Sequence, residues 1–137
     1  MAEGLTKFIR AAMRRQFVWG ERDCILFCTD WVLEVTGIDP AARWRGSYHS
    51  KAEAQTIIDG FGGLVELCDE GYAGVLERCE PEDALVGVIT SIEGDVGDVG
   101  AVRSGISWVV LTEHGIGRVR IDLADCLAAW GVPCRNH

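Results

Sequence analysis

The sequence lacks an excess of positive charge. Its 137 residues contain 13 Lys and Arg against 21 Asp and Glu, so the formal net charge is −8 at pH 7. Binding to a phosphate backbone needs clustered Lys and Arg, so this charge argues against a nucleic-acid-binding surface. The one basic cluster is either a solvated helix face or a docking surface, and it consists of Lys7, Arg10, Arg14 and Arg15.

Long apolar runs and a signal-peptide pattern are also missing. No apolar run approaches the ~20 residues that a membrane-spanning helix needs, and the first residues do not resemble a secretion signal. We therefore expect a protein that is made in a cytoplasm and does not insert into a membrane. In that compartment we expect the six cysteines to be reduced thiols, not disulfides.

Proline is scarce, with three residues, whereas hydrophobic residues make up 48% of the chain and Trp occurs five times. This composition excludes a disordered chain, and the length suffices for one hydrophobic core. No stretch of the sequence is typical of a linker. We predict a single domain over residues 1–137.

The central segment of the chain is a helix predicted over residues 24–36. Asp23 is a favourable N-cap residue, and Gly37 is suited to end the helix in a left-handed conformation. Apolar residues recur along one face at helical spacing, namely Ile25, Cys28, Val32 and Val35. Because this segment is apolar around most of its circumference, we expect it to be the buried central helix.

Other periodic segments flank this helix. Amphipathic patterning and a capping box that begins at Ser50 predict three more helices, whereas short β-branched runs after Pro81 predict an antiparallel meander. A last helix, capped by Asp122, is predicted over residues 123–130. The other predicted helices are 3–15, one opening at Ser50 and 64–70, and the predicted strands are 85–89, 99–102, 108–111 and 118–121. Helices followed by a meander indicate an α+β fold with the central helix packed on the sheet.

Cys24 is the candidate nucleophile. It falls in the first turn of the central helix, where unpaired backbone N–H groups and the positive end of the helix dipole favour the thiolate. A cysteine hydrolase also needs a histidine within hydrogen-bond reach and a polar group that orients it. The alternative for Cys24 is a small buried hydrophobe, which is the interpretation we favour for Cys28.

The segment Phe17-x-Trp19-Gly20-x-x-Asp23-Cys24-x-x-Phe27 resembles the nucleophile segment of NlpC-type papain-like peptidases, which cleave peptidoglycan stem peptides. The run from Trp19 to Tyr48, with the closing residues 126–132, resembles more closely an NlpC-like family encoded in phage and prophage tail modules. This resemblance implies a papain-like NlpC-type fold. It also implies a place beside tail-tip proteins, in a virion assembled in the host cytoplasm.

The sequence departs from the peptidase pattern at the catalytic base. NlpC-type peptidases begin a strand with His-Val-Gly, and the matching strand here begins with Asp98-Val99-Gly100. An aspartate is a poor base for a thiol and its charge raises the thiol pKa, so the resemblance implies a degenerate site. His114 is either a surface turn residue or a replacement base, and His49 is a weaker candidate. His137 is the terminal residue and is not expected to belong to the site.

Aromatic and polar residues around Cys24 form a predicted substrate groove, composed of Trp19, Asp23, Trp44 and Tyr48. For the loop residues Trp19 and Trp44, the alternative is docking on a partner protein. Trp31 is expected in the core. Charged residues of the 30–45 region are expected to pair and to hold the irregular loop 37–49 over the central helix, and they are Asp30, Asp39, Arg43 and Arg45.

Three functional hypotheses follow. The first is a tail-tip virion protein with a degenerate peptidase site that acts in tail assembly or cell-wall contact. The second is an active cysteine peptidase or amidase that opens peptidoglycan during DNA delivery, with Cys24 as nucleophile and His114 as base. The third is a small thiol or metal-binding protein, but the cysteines lack the paired spacing of structural zinc sites, so we expect no metal and no cofactor.

Overall fold

The computed structural model describes residues 2–90 and 97–133. It contains four α-helices, six β-strands and a short 3-10 turn. The helices are α1 (Ala2–Met13), α2 (Cys24–Thr36), α3 (Lys51–Phe61) and α4 (Leu64–Tyr72). The strands are β1 (Glu77–Arg78), β2 (Val86–Thr90), β3 (Asp98–Ser104), β4 (Ser107–Thr112), β5 (Gly115–Arg120) and β6 (Cys126–Gly131), with the 3-10 turn at Pro81–Asp83.

The strands form one antiparallel sheet in the order β1-β6-β2-β3-β4-β5. The run from β2 to β5 is the meander that the sequence predicts, and the α+β class is confirmed. No helix in the described part of the chain is long and apolar enough to span a bilayer.

The bounds of α2 agree with the prediction because both of its ends are capped. The Asp23 carboxylate accepts hydrogen bonds from the backbone N–H groups of Ile25 and Leu26, and the Gly37 N–H donates to the Leu33 carbonyl. Gly37 has φ +79°, a left-handed conformation that glycine adopts without steric cost. Cys28 and Trp31 are buried as expected.

The sheet has an apolar cluster on each face. On the side of the helices, valines of β2, β3 and β4 pack with Phe27, Trp31 and Val32 of α2. On the opposite side, Trp108 is fully buried in a smaller cluster with Ile89, Val99, Ala101 and Ala129. The main core therefore lies between α2 and the sheet, and burial of these side chains is the main source of stability.

The predicted last helix at 123–130 is wrong, because Cys126–Gly131 forms β6. This strand fills the space between β1 and β2, where Trp130 pairs with Val86 on one side and with Arg78 on the other. Residues 128–131 of β6 are buried on both faces, so their run of small and apolar side chains lacks the alternation of a half-exposed strand. Pairing with residues about 40 to 50 positions earlier in the chain outweighs its local helical pattern.

Candidate functional site

The cleft beside Cys24 has a volume of about 460 Å³. Its walls come from the loop before α2, the N-terminus of α2, the last residues of β2 and the β4–β5 hairpin. Polar and apolar side chains both face it. The residues that line it include Phe17, Trp19, Cys24, Lys51, Ile89, Thr90, Val99, Thr112, Glu113, His114 and Arg118.

The cleft opens where β3 and β4 separate. Their paired residues are confined to one end of the two strands, from Ser104–Ser107 to Val102–Val109. Beyond Val109, β4 continues with β5 as far as the pair Thr112–Gly115. The first residues of β3 and the last residues of β4 therefore diverge, and the N-terminus of α2 faces the gap between them.

Cys24 is the first residue of α2, and its surroundings oppose ionisation. Burial of the sulfur and the adjacent Asp23 carboxylate raise the pKa of the Cys24 thiol to about 12, although part of the residue remains exposed. Backbone hydrogen bonds from Gly100 and Ile25 lower the pKa by less. The backbone N–H groups at the start of α2 therefore favour the thiolate, as the sequence suggests, but desolvation outweighs them and the net pKa is raised.

Gly100 is the β3 residue that lies against the start of α2. A Cβ atom at this position would stand 3.0 Å from Cys28 Sγ and 3.2 Å from the Cys24 carbonyl oxygen. Asp98, which the resemblance aligns with the base histidine, is exposed two residues earlier at the start of β3 and pairs with Thr90. Asp98 is not among the side chains that line the cleft.

His114 lines the same cleft as Cys24, in the turn between β4 and β5. Its side chain is exposed, and its backbone N–H donates to Thr112 Oγ1. His49 is exposed in the loop before α3. His137 lies outside the described residues. Of the three histidines, His114 is therefore the one that the described structure brings to the wall of the Cys24 cleft.

Asp23 and Tyr48 are buried structural residues that do not line this groove. Asp23 is completely buried, and its carboxylate accepts four hydrogen bonds at 2.6–3.0 Å. The donors are the backbone N–H groups of Gly20, Ile25 and Leu26 and the hydroxyl of Tyr48. Burial and the Asp23 charge raise the pKa of the Tyr48 hydroxyl far above its ordinary range, so Tyr48 remains a neutral donor.

Trp44 also lies away from the Cys24 cleft. It lines a small apolar cavity of about 30 Å³ enclosed by α2, α3, α4 and the loop 37–49. Its ring packs edge-on against Phe61 at a centroid distance of 5.7 Å, and the Arg43 guanidinium lies over the ring. Of the four predicted groove residues, Trp19 alone lines the cleft, where it packs edge-on against Phe17.

The expected ion pairs around the loop 37–49 are confirmed for three of the four residues. Arg45 Nε lies 2.7 Å from Asp39 Oδ2, and Arg45 Nη2 donates to Asp30 Oδ1. The hydrogen bond from Arg45 lowers the pKa of Asp39, whereas burial raises the pKa of Asp30 despite the same cation. Arg43 pairs with Glu70 of α4, a contact that the sequence pattern did not indicate.

The structure adds residues that sequence reasoning missed at the cleft. Phe17, Lys51 and Arg118 line it, and the backbone of Gly100 contacts the start of α2. The Gly in the Asp98-Val99-Gly100 strand was the available signal, since glycine inside a strand marks a close approach of another backbone. Lys51 and Arg118 carried no signal, because they reach the cleft from separate elements.

The cysteines do not form a metal centre in the described part of the chain. No group of three or more His, Cys, Asp or Glu side chains within residues 4–90 and 97–133 is placed to hold a metal ion. The five cysteines within these residues are free thiols. The sixth, Cys134, lies outside the described residues.

Comparison with known proteins identifies the family of the chain. A family model described as a domain of unknown function (DUF6950) matches residues 2–132, so the chain belongs to this family. Neither the curated proteins nor the solved structures include a match to the chain.

Proposed function

We propose that this member of the DUF6950 family is a tail-tip component of a phage or phage-like particle, with a papain-like fold of the NlpC type and a degenerate catalytic site. Its role is tail assembly or contact with the cell wall, alongside other tail-tip proteins. The phage context rests on the sequence resemblance over residues 17–48. The α+β architecture, with Cys24 at the start of a helix packed on an antiparallel sheet, is compatible with this fold.

The observation that carries the degenerate site is the environment of the Cys24 thiol. Burial and the adjacent Asp23 carboxylate raise the pKa of this thiol to about 12, well above the value near 8.5 of an ordinary thiol, so Cys24 is protonated near neutral pH. The group that contacts the start of α2 from β3 is the backbone of Gly100, which cannot take a proton from sulfur. A protein that only binds its partners does not need an ionised Cys24.

Site-resolved alkylation tests this assignment. We expect iodoacetamide at about pH 7.5 to modify Cys24 at least 100-fold more slowly in the folded protein than in urea, because the thiol is desolvated and protonated. Cys126 is the internal control, because it is a partly exposed strand cysteine whose pKa is raised mainly by burial. Faster alkylation of Cys24 in the folded protein than in urea would contradict the degenerate site.

Purified peptidoglycan sacculi provide the functional readout. We expect the protein to sediment with sacculi, or with tail-tip proteins of the particle, without releasing stem peptides above the level of Cys24→Ala. Mass spectrometry of phage-like particles from the host that encodes this sequence should detect the chain. Its absence from such particles would overturn the virion assignment.

One observation favours an active cysteine peptidase or amidase as the second candidate. His114 lines the same cleft as Cys24, and apo hydrogen bonds in catalytic sites are often long and tighten only with substrate. In that case, wild-type protein would release stem peptides, and both Cys24→Ala and His114→Ala would abolish release. Asp98→Ala is the matched control, because Asp98 is exposed and does not line the cleft.

A further inference from the structure

A second concave surface lies between α1 and α2. This groove has a volume of about 700 Å³ and uses a face of α2 different from the one that packs against α3 and α4. Its floor is apolar and its rim is basic, with Lys7 and Arg15 on α1 and Arg22 in the following loop. The apolar lining residues are Phe8, Ala11, Ala12, Phe27, Leu33 and Leu111.

The two acidic residues of the groove, Asp30 and Glu34, offset only part of the charge of the three cations, and Arg15 does act on Asp30. Asp30 is already bound to Arg45, which approaches it from the loop 37–49. Glu34 is exposed one helical turn further along α2. The rim therefore keeps a surplus of positive charge directly above an apolar floor, which suits a segment that carries carboxylates.

Cations elsewhere in the described structure mostly have carboxylate partners. Ion pairs hold Arg43, Arg45, Arg78 and Arg120. None of the ion pairs among the side chains of residues 4–90 and 97–133 involves a cation of the α1 region, although the chain has many more acids than bases. All of these cations except Arg22 are exposed. They are Lys7, Arg10, Arg14, Arg15 and Arg22.

The complementary charge lies at the other end of the molecule. The segment 77–83 reads Glu-Arg-Cys-Glu-Pro-Glu-Asp and spans β1 and the 3-10 turn. Its acidic side chains Glu77, Glu80, Glu82 and Asp83 are all exposed, and no ion pair of the described structure uses them. Val132, exposed next to the β6 residue that pairs with Glu77, adds an apolar side chain to this end.

The sheet order places these two charged surfaces far apart. β1 is one edge of the sheet, and β5, against which α1 packs, is the other edge. Five strand spacings of about 4.8 Å separate the edges by about 24 Å. One molecule therefore cannot bring its own segment 77–83 into its own groove, but two molecules can.

We propose that the α1–α2 groove receives the segment 77–83 of a second copy of this chain, so that copies associate head to tail. The carboxylates of this segment meet the basic rim, and the length of the segment is comparable with the ~18 Å length of α1. The net charge of −8 opposes association at long range, so the contact is weak and depends on salt. Because the two surfaces differ, the contact is heterologous and builds a ring or an open row.

Sedimentation velocity over a concentration series tests this proposal with the full chain. At about 20 mM NaCl we expect concentration-dependent species larger than the monomer. At about 500 mM NaCl, where the screening length falls to a few ångströms, we expect the apparent dissociation constant to rise at least tenfold. A chain that remains monomeric at low salt and millimolar concentration would overturn the proposal.

Charge reversal identifies the two surfaces. The double variants Lys7→Glu/Arg15→Glu and Glu80→Lys/Glu82→Lys should each be monomeric alone, and an equimolar mixture of a Lys7→Glu/Arg15→Glu chain with a Glu80→Lys/Glu82→Lys chain should associate again. Lys51→Glu is the control, because this exposed residue begins α3 away from both surfaces. Circular dichroism confirms that each variant is folded.

Two results would contradict the surfaces named here. If both charge-reversed variants associate as strongly as the wild type, the copies meet through another face. If a mixture of the two variants stays monomeric, the rim and segment 77–83 do not meet. The groove would then bind an acidic segment of a different protein instead. None of these outcomes depends on whether the Cys24 cleft is degenerate.

Discussion

Two polar clusters fasten the loop 37–49 to α2, and they do so by different means. At the N-terminus of α2, the fully buried Asp23 binds Tyr48 and three backbone N–H groups. In the middle of α2, Asp30 meets Arg45, whose side chain is about 29% exposed and also binds Asp39. The first cluster has one carboxylate and neutral donors, whereas the second consists of charged groups near water.

The difference between these clusters lies in what a broken contact leaves behind. A buried donor without a partner costs about 1–3 kcal/mol, because water cannot replace the lost acceptor. A partly exposed ion pair contributes about 0–1 kcal/mol, because water competes for both ions. Hydrogen bonds of similar length in the two clusters therefore contribute differently to the free energy of unfolding. Substitutions in each cluster can measure this difference.

The largest effect is expected for Asp23→Ala. Loss of the N-cap costs about 1 kcal/mol, and the buried donors Gly20 N–H and Tyr48 O–H lose their acceptor. We expect the free energy of unfolding to fall by about 4 kcal/mol in urea denaturation. Tyr48→Phe removes the hydroxyl and its hydrogen bond to Asp23, and it leaves no buried donor without an acceptor. It should lower the free energy of unfolding by about 1–2 kcal/mol. Equal losses in the two variants would contradict the role of Asp23 as the common acceptor.

The next effect separates two glycines that both have positive φ. In Gly20→Ala, the new Cβ would stand 2.0 Å from the Tyr48 carbonyl oxygen, so the backbone of the Asp23 cluster must move. In Gly37→Ala, nothing lies within 4 Å of the new Cβ, and backbone strain alone remains. We expect losses of about 3 kcal/mol and about 1 kcal/mol, measured by the same urea denaturation.

A loss of stability in Gly37→Ala that matches the loss in Gly20→Ala would show that strain at positive φ accounts for both. The close approach of Gly20 to Tyr48 would then contribute little. This pair is a matched test, since the two glycines have φ values of +82° and +79°.

The smallest effect is expected for Arg45→Ala, about 1 kcal/mol at neutral pH. The lowered pKa of Asp39 stabilises the fold above the pKa of the unfolded chain, near 4, and this contribution is lost as pH falls through the folded pKa. The raised pKa of Asp30 acts oppositely, because ionisation of Asp30 above its unfolded pKa costs stability in the folded state. We therefore expect the stability contributions of the two carboxyls to oppose each other near pH 4.

Carboxyl NMR titration checks these directions. The pKa of Asp39 should lie below that of Asp30 in the wild type, and both values should rise in Arg45→Ala because the cation is gone. Arg45→Lys is the control, since it keeps the charge but not the two-pronged geometry. A pKa of Asp30 below its ordinary value would contradict the dominance of burial at this residue.

The sequence predicts the helical half of the fold well because its signals are local. Caps at Asp23, Gly37 and Ser50 define helix ends through contacts within a few residues. For the segment 126–131 the local signal was misleading, because Asp122 is a suitable helix cap. The interactions that make this segment a strand come from partner strands that lie distant in the chain.

The site was predicted less completely than the fold. The pattern around Cys24 placed the thiol correctly at the start of α2, and His114 does line the Cys24 cleft. Trp44 and Tyr48 were assigned to the wrong surroundings, because the side to which a loop aromatic turns depends on α3 and α4 packing beneath it. The sequence pattern also could not predict the pKa of the Cys24 thiol, since this pKa depends on burial under residues from other elements.

The edge strand β5 has a consequence for solubility. Its outer edge ends the sheet, and exposed strand edges offer hydrogen-bonding groups to strands of other molecules. Arg118 and Arg120 are exposed on this strand and alternate with more buried residues. Arg120 is already paired with Asp122, so an edge-to-edge approach of two such strands would bring mainly the Arg118 guanidinium groups together, and their repulsion opposes strand pairing between copies.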